Sequence, residues 1–361
     1  MVVAPVTNEV MLRDIRSQAD ALAAGLARAR SRVGELALAR PDRVVVTGSG
    51  DSFIAATAVR PLIEQACGRP TLALPSLDAS RYGSLSAGDL AVVVSVSGEV
   101  SRTIEAAHRA TGSGATTVAI TANTASTLAT SCNVAIGIPE PIDRSIPHSR
   151  DYTVTLLALA CLAEGLAGAP SPELDLLPAI TGAIVDRSLE VATPERQDGA
   201  RTWFLGAGPD RATAMFGALK FWEAAGMEAW WDDLEEFGHG SQLMARPNDR
   251  AVLIAAGAGV HRALEMVEGL ERMGLRVVVV GGSGMSAPNV AHLFTSDELG
   301  TLWHPFVSCL PLQAMTYVEA EDRGLDVSVP LFGREYGPTY DAVHGEWMRQ
   351  SRIVVGGESP R

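Results

Sequence analysis

The chain has 361 residues, 47% of them hydrophobic and 20% charged, the balance of a globular protein with length for two ordinary cores and not of a disordered chain. A net charge of −13 argues against nucleic-acid partners and anionic membrane surfaces, both of which need a basic face. No apolar run reaches the roughly 18 residues of a membrane span, the N-terminus lacks a signal-peptide pattern, and Cys67, Cys132, Cys161 and Cys309 are widely spaced in mostly apolar runs, so reduced core thiols in a cytoplasmic protein are expected.

Residues 8–39 read as helical, with Met11, Leu12, Ile15, Ala19, Leu22 and Leu26 at helical spacing. A strand at 43–47 runs into the turn Gly48-Ser49-Gly50-Asp51-Ser52, and a helix follows over 53–67. Strand, glycine-rich turn and helix make a βα unit whose turn a ligand can reach. A dinucleotide fingerprint would need a third glycine and an acidic residue ending the second strand near 71–75; both are missing, so no nucleotide cofactor is expected. The next strand, 90–94, is a continuous apolar run suited to a buried parallel sheet. It ends in Ser95-Val96-Ser97-Gly98-Glu99-Val100-Ser101-Arg102-Thr103, which opens a helix through Arg109. Hydroxyls and free backbone N–H groups meet there at a helix N-terminus, where the dipole favours an anion. The same residues also suit a well-capped helix with Ser97 as the cap. A strand at 116–121, a short helix and a strand at 134–136 follow. The segment from Ile146 to Thr153, including Ser149 and Arg150, enters a long apolar helix to about Leu166, and a further helix over 173–193 leads to a linker near Pro194.

The pattern then returns. The strand and turn at 43–50 reappear at 201–208, the strand at 89–97 at 249–257, and the strand at 116–121 at 275–280, all about 160 residues later. The expectation is a duplicated α/β domain, divided into residues 1–193 and 194–361. The first copy keeps Ser95 and Ser97 where the second has Ala255 and Gly257. An anion cradle therefore belongs to the first copy.

The second copy carries Gly217-Ala218-Leu219-Lys220-Phe221-Trp222-Glu223. Lys220 is the single Lys of the chain, and its amine, unlike a guanidinium, can lose a proton. Glu223 lies one helical turn on, and His239 follows sixteen residues later in Glu236-Phe237-Gly238-His239-Gly240. Amine, carboxylate and imidazole suit proton transfer; an i,i+3 ion pair beside a loop histidine fits the spacing equally. No metal-ligand spacing is present, and no metal is expected.

Taken together, these motifs resemble the double sugar-isomerase (SIS) family, which includes the isomerase half of glucosamine-6-phosphate synthase and the fructosamine-6-phosphate deglycases. The resemblance covers nearly the whole chain: the opening helix with Gln18, the turn at Gly50 and Ser52, the loop from Ser95 to Thr103, the segment from Ile146 to Thr153, the Lys220–Glu223 and His239 motifs, and a closing helix starting at Leu310-Pro311-Leu312-Gln313. It implies two tandem flavodoxin-like, three-layer SIS domains, no cofactor, and a homodimer with a shared site. It implies that Gly50, Ser52, Ser95, Ser97, Gly98, Glu99, Ser101, Ser149 and Arg150 contact the sugar or its phosphate. Glu223 would be the base moving a proton between C1 and C2, His239 would assist ring opening from a neighbouring subunit, and Lys220 would adjust the charge beside them. The implied activity is aldose–ketose isomerisation, or deamination or deglycation of an amino sugar. A non-catalytic, sugar-phosphate-sensing SIS protein is the alternative, as is an unphosphorylated substrate.

The departures from the family pattern are specific. Val96 and Val100 stand where the synthase has a Gln and a Thr, and Asp51 where it has a Thr. Each lost charge-assisted bond would weaken anion binding by about 1.5–3 kcal/mol, with Ser101 one position late as a partial replacement. The tail at 331–336 has no Lys to form an imine, and no glutaminase-like segment precedes residue 1, so channelled ammonia is not expected. The tail beyond Tyr336 exceeds the family's usual end, and Trp347 is a candidate cover for a site or a partner.

Overall fold

Runs of β-branched residues build two all-parallel, five-stranded sheets. The computed structural model describes residues 8–36, 40–141, 147–194, 200–328 and 338–350. The tail at 331–336, Ile146 and most of the linker after Pro194 lie outside the described residues.

The first sheet contains β1 (Arg43–Gly48), β2 (Thr71–Pro75), β3 (Asp89–Val94), β4 (Thr116–Thr121) and β5 (Val134–Gly137), in the order β2-β1-β3-β4-β5. Beyond their first residues the central strands are buried, as the continuous valine runs require of a sheet covered on both faces. Around it run α3 (Asp51–Cys67), α4 (Ser76–Arg81), α5 (Ser101–Gly112) and α6 (Thr127–Ser131).

The second sheet contains β6 (Thr202–Gly206), β7 (Ala229–Asp233), β8 (Arg250–Ile254), β9 (Arg276–Gly281) and β10 (Ala291–Phe294), in the order β7-β6-β8-β9-β10. Relative to chain order within each sheet, both run 2-1-3-4-5. One detail repeats as well. The Arg that opens or directly precedes the first strand pairs with the Asp that opens or directly precedes the third: Arg43–Asp89 at 2.6 Å and Arg201–Asp249 at 2.8 Å. α9 (Asp210–Lys220), α10 (Leu234–Phe237), α11 (Gly259–Arg272) and α12 (Pro305–Asp322) belong with this sheet. Its core carries aromatics on both faces, with Phe204 edge-on to Phe221 at 4.9 Å on one and Trp203 stacked on Trp230 at 5.6 Å on the other.

The chain forms two compact units. One takes 1–24, 141–156 and 171–331 and holds the second sheet; the other takes 25–140, 157–170 and 332–361 and holds the first. The opening helix is split at Ser17 into α1 (Glu9–Arg16) and α2 (Gln18–Gly34). α7 (Ser149–Ala167) and α8 (Pro172–Val191) follow the expected segments closely. The closing helix begins at Pro305, one and a half turns before the expected Leu310, with Pro in its first turn, where a missing N–H costs nothing. Cys67, Cys161 and Cys309 are buried, Cys132 is half-buried, and all four are free thiols. Among the described residues, no helix is long and apolar enough to cross a membrane.

Candidate functional site

In the unit of the second sheet, α9 delivers Lys220 as its last α-helical residue. The chain then widens into a single π-helical turn, Phe221–Ala225, closed by Gly226 in the left-handed region at φ 57°. The spacing had suggested one continuous α-helix here; π turns of this kind are frequent at functional positions. Lys220 is fully buried (side chain 0% exposed) and donates from Nζ to Glu223 Oε2 at 2.7 Å, while the Glu223 side chain is 25% exposed. The ammonium also sits 5.2 Å from the centroid of Phe216. A buried cation thus holds one oxygen of a carboxylate that solvent can still reach. Gly217 permits this arrangement: a Cβ there would lie 2.6 Å from Phe204 Cδ1 and 2.9 Å from Leu312 Cδ1, so α9 could not pack so closely on the sheet.

His239 lies beyond α10 in an exposed loop. Its side chain is 67% exposed, and Nε2 is 3.5 Å from Glu235 Oε1. Glu235 also takes Arg262 at 2.7 Å. Leu243 and Met244 in the following turn are exposed as well. The structure brings Lys220 and Glu223 together, whereas the His239 ring lies beside Glu235.

Ser149 and Arg150 are buried at the start of α7. Their backbone N–H groups donate to Asp14 Oδ2 at 3.0 and 2.9 Å, so α1 supplies the cap of α7. Burial raises the Asp14 pKa, and the Asp151 charge adds to this, against the two backbone donors that lower it. The Ser149 hydroxyl reaches the Pro147 carbonyl at 3.4 Å. Gln18 donates to Gln313 at 2.7 Å and accepts from the Thr153 hydroxyl, so the opening helix, α7 and α12 are joined by one buried polar network.

The other unit holds the hydroxyl-rich loop. Gly50, at φ 56°, precedes α3 and is exposed, whereas Ser52 is buried. Ser95 follows β3 and is buried; its hydroxyl accepts from the Gly98 N–H at 3.2 Å. Ser97 is exposed, and its hydroxyl accepts from the Glu99 N–H at 3.3 Å. Gly98 sits at φ 70°, and a Cβ there would lie 2.1 Å from Ser126 Oγ. Glu99 does not face an empty helix end. It accepts from Thr127 N at 2.9 Å and Thr127 Oγ1 at 2.8 Å, and these bonds hold its pKa below the ordinary carboxylate value. The Ser101 hydroxyl donates to the Arg349 carbonyl at 2.6 Å.

Sequence reasoning passed over a hydroxyl chain beside this loop. Ser49 Oγ donates to Ser76 Oγ at 3.0 Å, and Ser76 Oγ lies 3.0 Å from Thr103 Oγ1. Ser76 and Thr103 are buried and Ser49 is exposed. Ser76 opens the short α4 after β2, and such a placement follows from strand order, which no local motif reports.

Residues 37–164 match the SIS domain, so the chain contains at least that one SIS domain. The chain is 26% identical over 309 residues to glutamine–fructose-6-phosphate aminotransferase [isomerizing] 1 of Arabidopsis thaliana, covering 81% of this chain and 46% of that protein. It is 25% identical over 336 residues to the corresponding aminotransferase of Pyrobaculum aerophilum, covering 89% and 56%. The chain spans about half the length of these relatives. Among solved structures, glucosamine-6-phosphate deaminase from Thermotoga maritima superposes with a TM-score of 0.76 at 20% identity, covering 89% of this chain and 97% of that one. Tagatose-6-phosphate ketose/aldose isomerase from Escherichia coli does so with a TM-score of 0.73 at 20% identity, covering 90% and 96%. These likenesses show that the fold is that of the SIS-type phosphosugar isomerases and deaminases.

Proposed function

We propose that the chain is a sugar-phosphate enzyme that moves a proton between C1 and C2 of an open-chain hexose or amino-sugar 6-phosphate, in isomerisation or in the related deamination or deglycation. The observation that carries this reading is the Lys220–Glu223 contact: a carboxylate one quarter exposed, held at 2.7 Å by a fully buried ammonium. Removal of a proton next to a carbonyl needs a base in a partly dry setting. Glu223 takes the C2 proton of the aldose, the electron pair forms the enediol, and Glu223 returns the proton at C1 as the ketose forms. Lys220 orients the carboxylate and offsets the negative charge that builds up. His239, presented by an exposed loop, opens the sugar ring, in a second copy of the chain. In the first-sheet unit, the loop from Ser95 to Ser101 with Gly50 and Ser52 binds the phosphoryl group, with Val96 and Val100 leaving more of that task to backbone N–H groups. The equal strand orders and the matching Arg–Asp pairs support a second SIS domain arising by duplication, with the repeat dividing near residue 193.

A second reading, a sugar-phosphate-binding module without turnover, is favoured by the pairing of His239 with Glu235. One experiment separates the two. The chain is incubated with fructose 6-phosphate or glucosamine 6-phosphate in heavy water, and deuterium at C1 of the ketose or at C2 of the amino sugar or aldose is followed by NMR. Exchange is expected with the unaltered chain and none with Glu223→Gln. Exchange that survives the substitution would refute the base assignment, and tight binding with no exchange would favour the module.

A further inference from the structure

The helix at Pro338–Arg349 ends against the first turn of α5. The Ser101 hydroxyl donates to the Arg349 carbonyl at 2.6 Å, and Arg102 Nη2 donates to the Gln350 carbonyl. Arg102 is fixed from the other side: Nη1 lies 2.8 Å from Glu105 Oε2, and Glu105 is buried. The guanidinium is therefore preorganised, with one edge on Glu105 and the other aimed at an oxygen acceptor. Two carbonyl oxygens from more than two hundred residues away thus accept from the side chains of the first two residues of α5. The negative end of one helix dipole meets the positive end of another. Near this contact Trp347 is 69% exposed, and Met348 and Glu346 are also exposed. Both of these contacts are hydrogen bonds to neutral carbonyl oxygens.

We propose that Arg102, with Ser101, is the phosphate-recognising pair of this loop, and that the terminal helix is an internal competitor whose two carbonyl oxygens stand where oxygens of a phosphate monoester bind. The proposal rests on the reading of the loop as an anion site. Arg102 supplies a charge-assisted donor in a loop where the side chains of Val96 and Val100 offer none, and a dianion outcompetes neutral carbonyls for it. A phosphorylated ligand then releases the terminal helix on binding, and the helix excludes weaker anions until it does.

The test uses the full chain. Gly345→Pro breaks the terminal helix at a position where a Cβ meets nothing within 4 Å, and leaves Ser101 and Arg102 unaltered. Binding of inorganic phosphate and of fructose 6-phosphate is measured by calorimetry. Freeing two hydrogen-bond donors is expected to tighten both by about tenfold. Arg102→Ala in the Gly345→Pro chain is expected to reverse that gain. In the unaltered chain, hydrogen exchange at 342–350 is expected to accelerate when fructose 6-phosphate saturates. Equal affinities in the unaltered and Gly345→Pro chains, with no change in exchange, would overturn the competitor while the anion loop stands. Unchanged binding after Arg102→Ala would overturn the recognising pair. Failure of both chains to bind either probe would overturn the loop reading itself.

Discussion

Replacing Gly98 by Ala perturbs the loop in two ways that separate cleanly. The backbone sits at φ 70°, where a side chain costs about 1–2 kcal/mol. The new Cβ would also meet Ser126 Oγ at 2.1 Å, Ser126 Cβ at 2.4 Å and Thr121 Oγ1 at 3.0 Å. Overpacking of that kind costs about 1–3 kcal/mol more, so Gly98→Ala is expected to destabilise the first-sheet unit by about 2–5 kcal/mol. Ser126→Gly removes the obstacle at little expense. Ser126 caps α6 through a 3.3 Å bond from Ala129 N, and a Gly at that position forfeits only about a few tenths of a kcal/mol. The double variant should therefore recover the larger, Ser126 share of the steric part and keep the backbone part and the Thr121 contact, leaving a loss of about 1–3 kcal/mol. Urea unfolding of the four chains of the cycle, followed by circular dichroism, reads these differences. The reasoning fails if Gly98→Ala costs less than about 0.5 kcal/mol, or if Ser126→Gly returns none of the loss. Both variants should bind fructose 6-phosphate more weakly than the unaltered chain, because the Ser95–Gly98 hydrogen bond that shapes the loop is displaced with them.

The Lys220 ion pair and the ion pairs at the ends of the central strands give further tests. Lys220→Arg keeps the charge but forces a planar, bulkier group into a fully buried site, so C2 exchange should fall by at least about tenfold while fructose 6-phosphate affinity changes little; unchanged exchange would show that any cation suffices. Burial works against the carboxylates of Asp89 and Asp249, but Arg43 and Ser86 at the first, and Arg201, Trp203 and Arg246 at the second, outweigh it and lower both pKa values. A depressed folded-state pKa contributes stability above the unfolded value near 3.8 and loses it as pH falls through the folded value. Both sheets should therefore lose melting temperature below about pH 4 and not between pH 5 and 8 on account of these groups, and Asp249→Asn should flatten the acid limb of the Tm profile.

Much of this architecture is local enough to read along the chain. Val44 to Val46, Leu90 to Val94 and Val252 to Ile254 announce central parallel strands, because a strand covered on both faces must be apolar at every position. The repeat at about 160 residues belongs to the same level, whereas the pairing of Arg43 with Asp89 and of Arg201 with Asp249 depends on strand order. Edge strands are a different case. β7 reads Ala-Trp-Trp-Asp-Asp and β10 Ala-His-Leu-Phe; both are short and mixed, and only a neighbouring strand makes them sheet.

The candidate site divides in the same way. The solitary Lys220, its spacing to Glu223 and the hydroxyls at Ser95 and Ser97 are facts of the sequence, because one turn of helix or one loop brings such residues together without outside help. The burial of Lys220 is not, since it depends on Phe216 and the sheet beneath α9. Neither is the π turn that carries Glu223, which inserts a residue into a helix whose composition gives no warning. Tertiary structure alone decided that Asp14 caps α7, that Thr127 engages Glu99, and that the carbonyls of Arg349 and Gln350 reach Ser101 and Arg102. In each case the partner is a backbone group or a side chain far away in the chain. Periodicity records which residues must be buried, but it holds no information on which distant donor and acceptor will meet once they are.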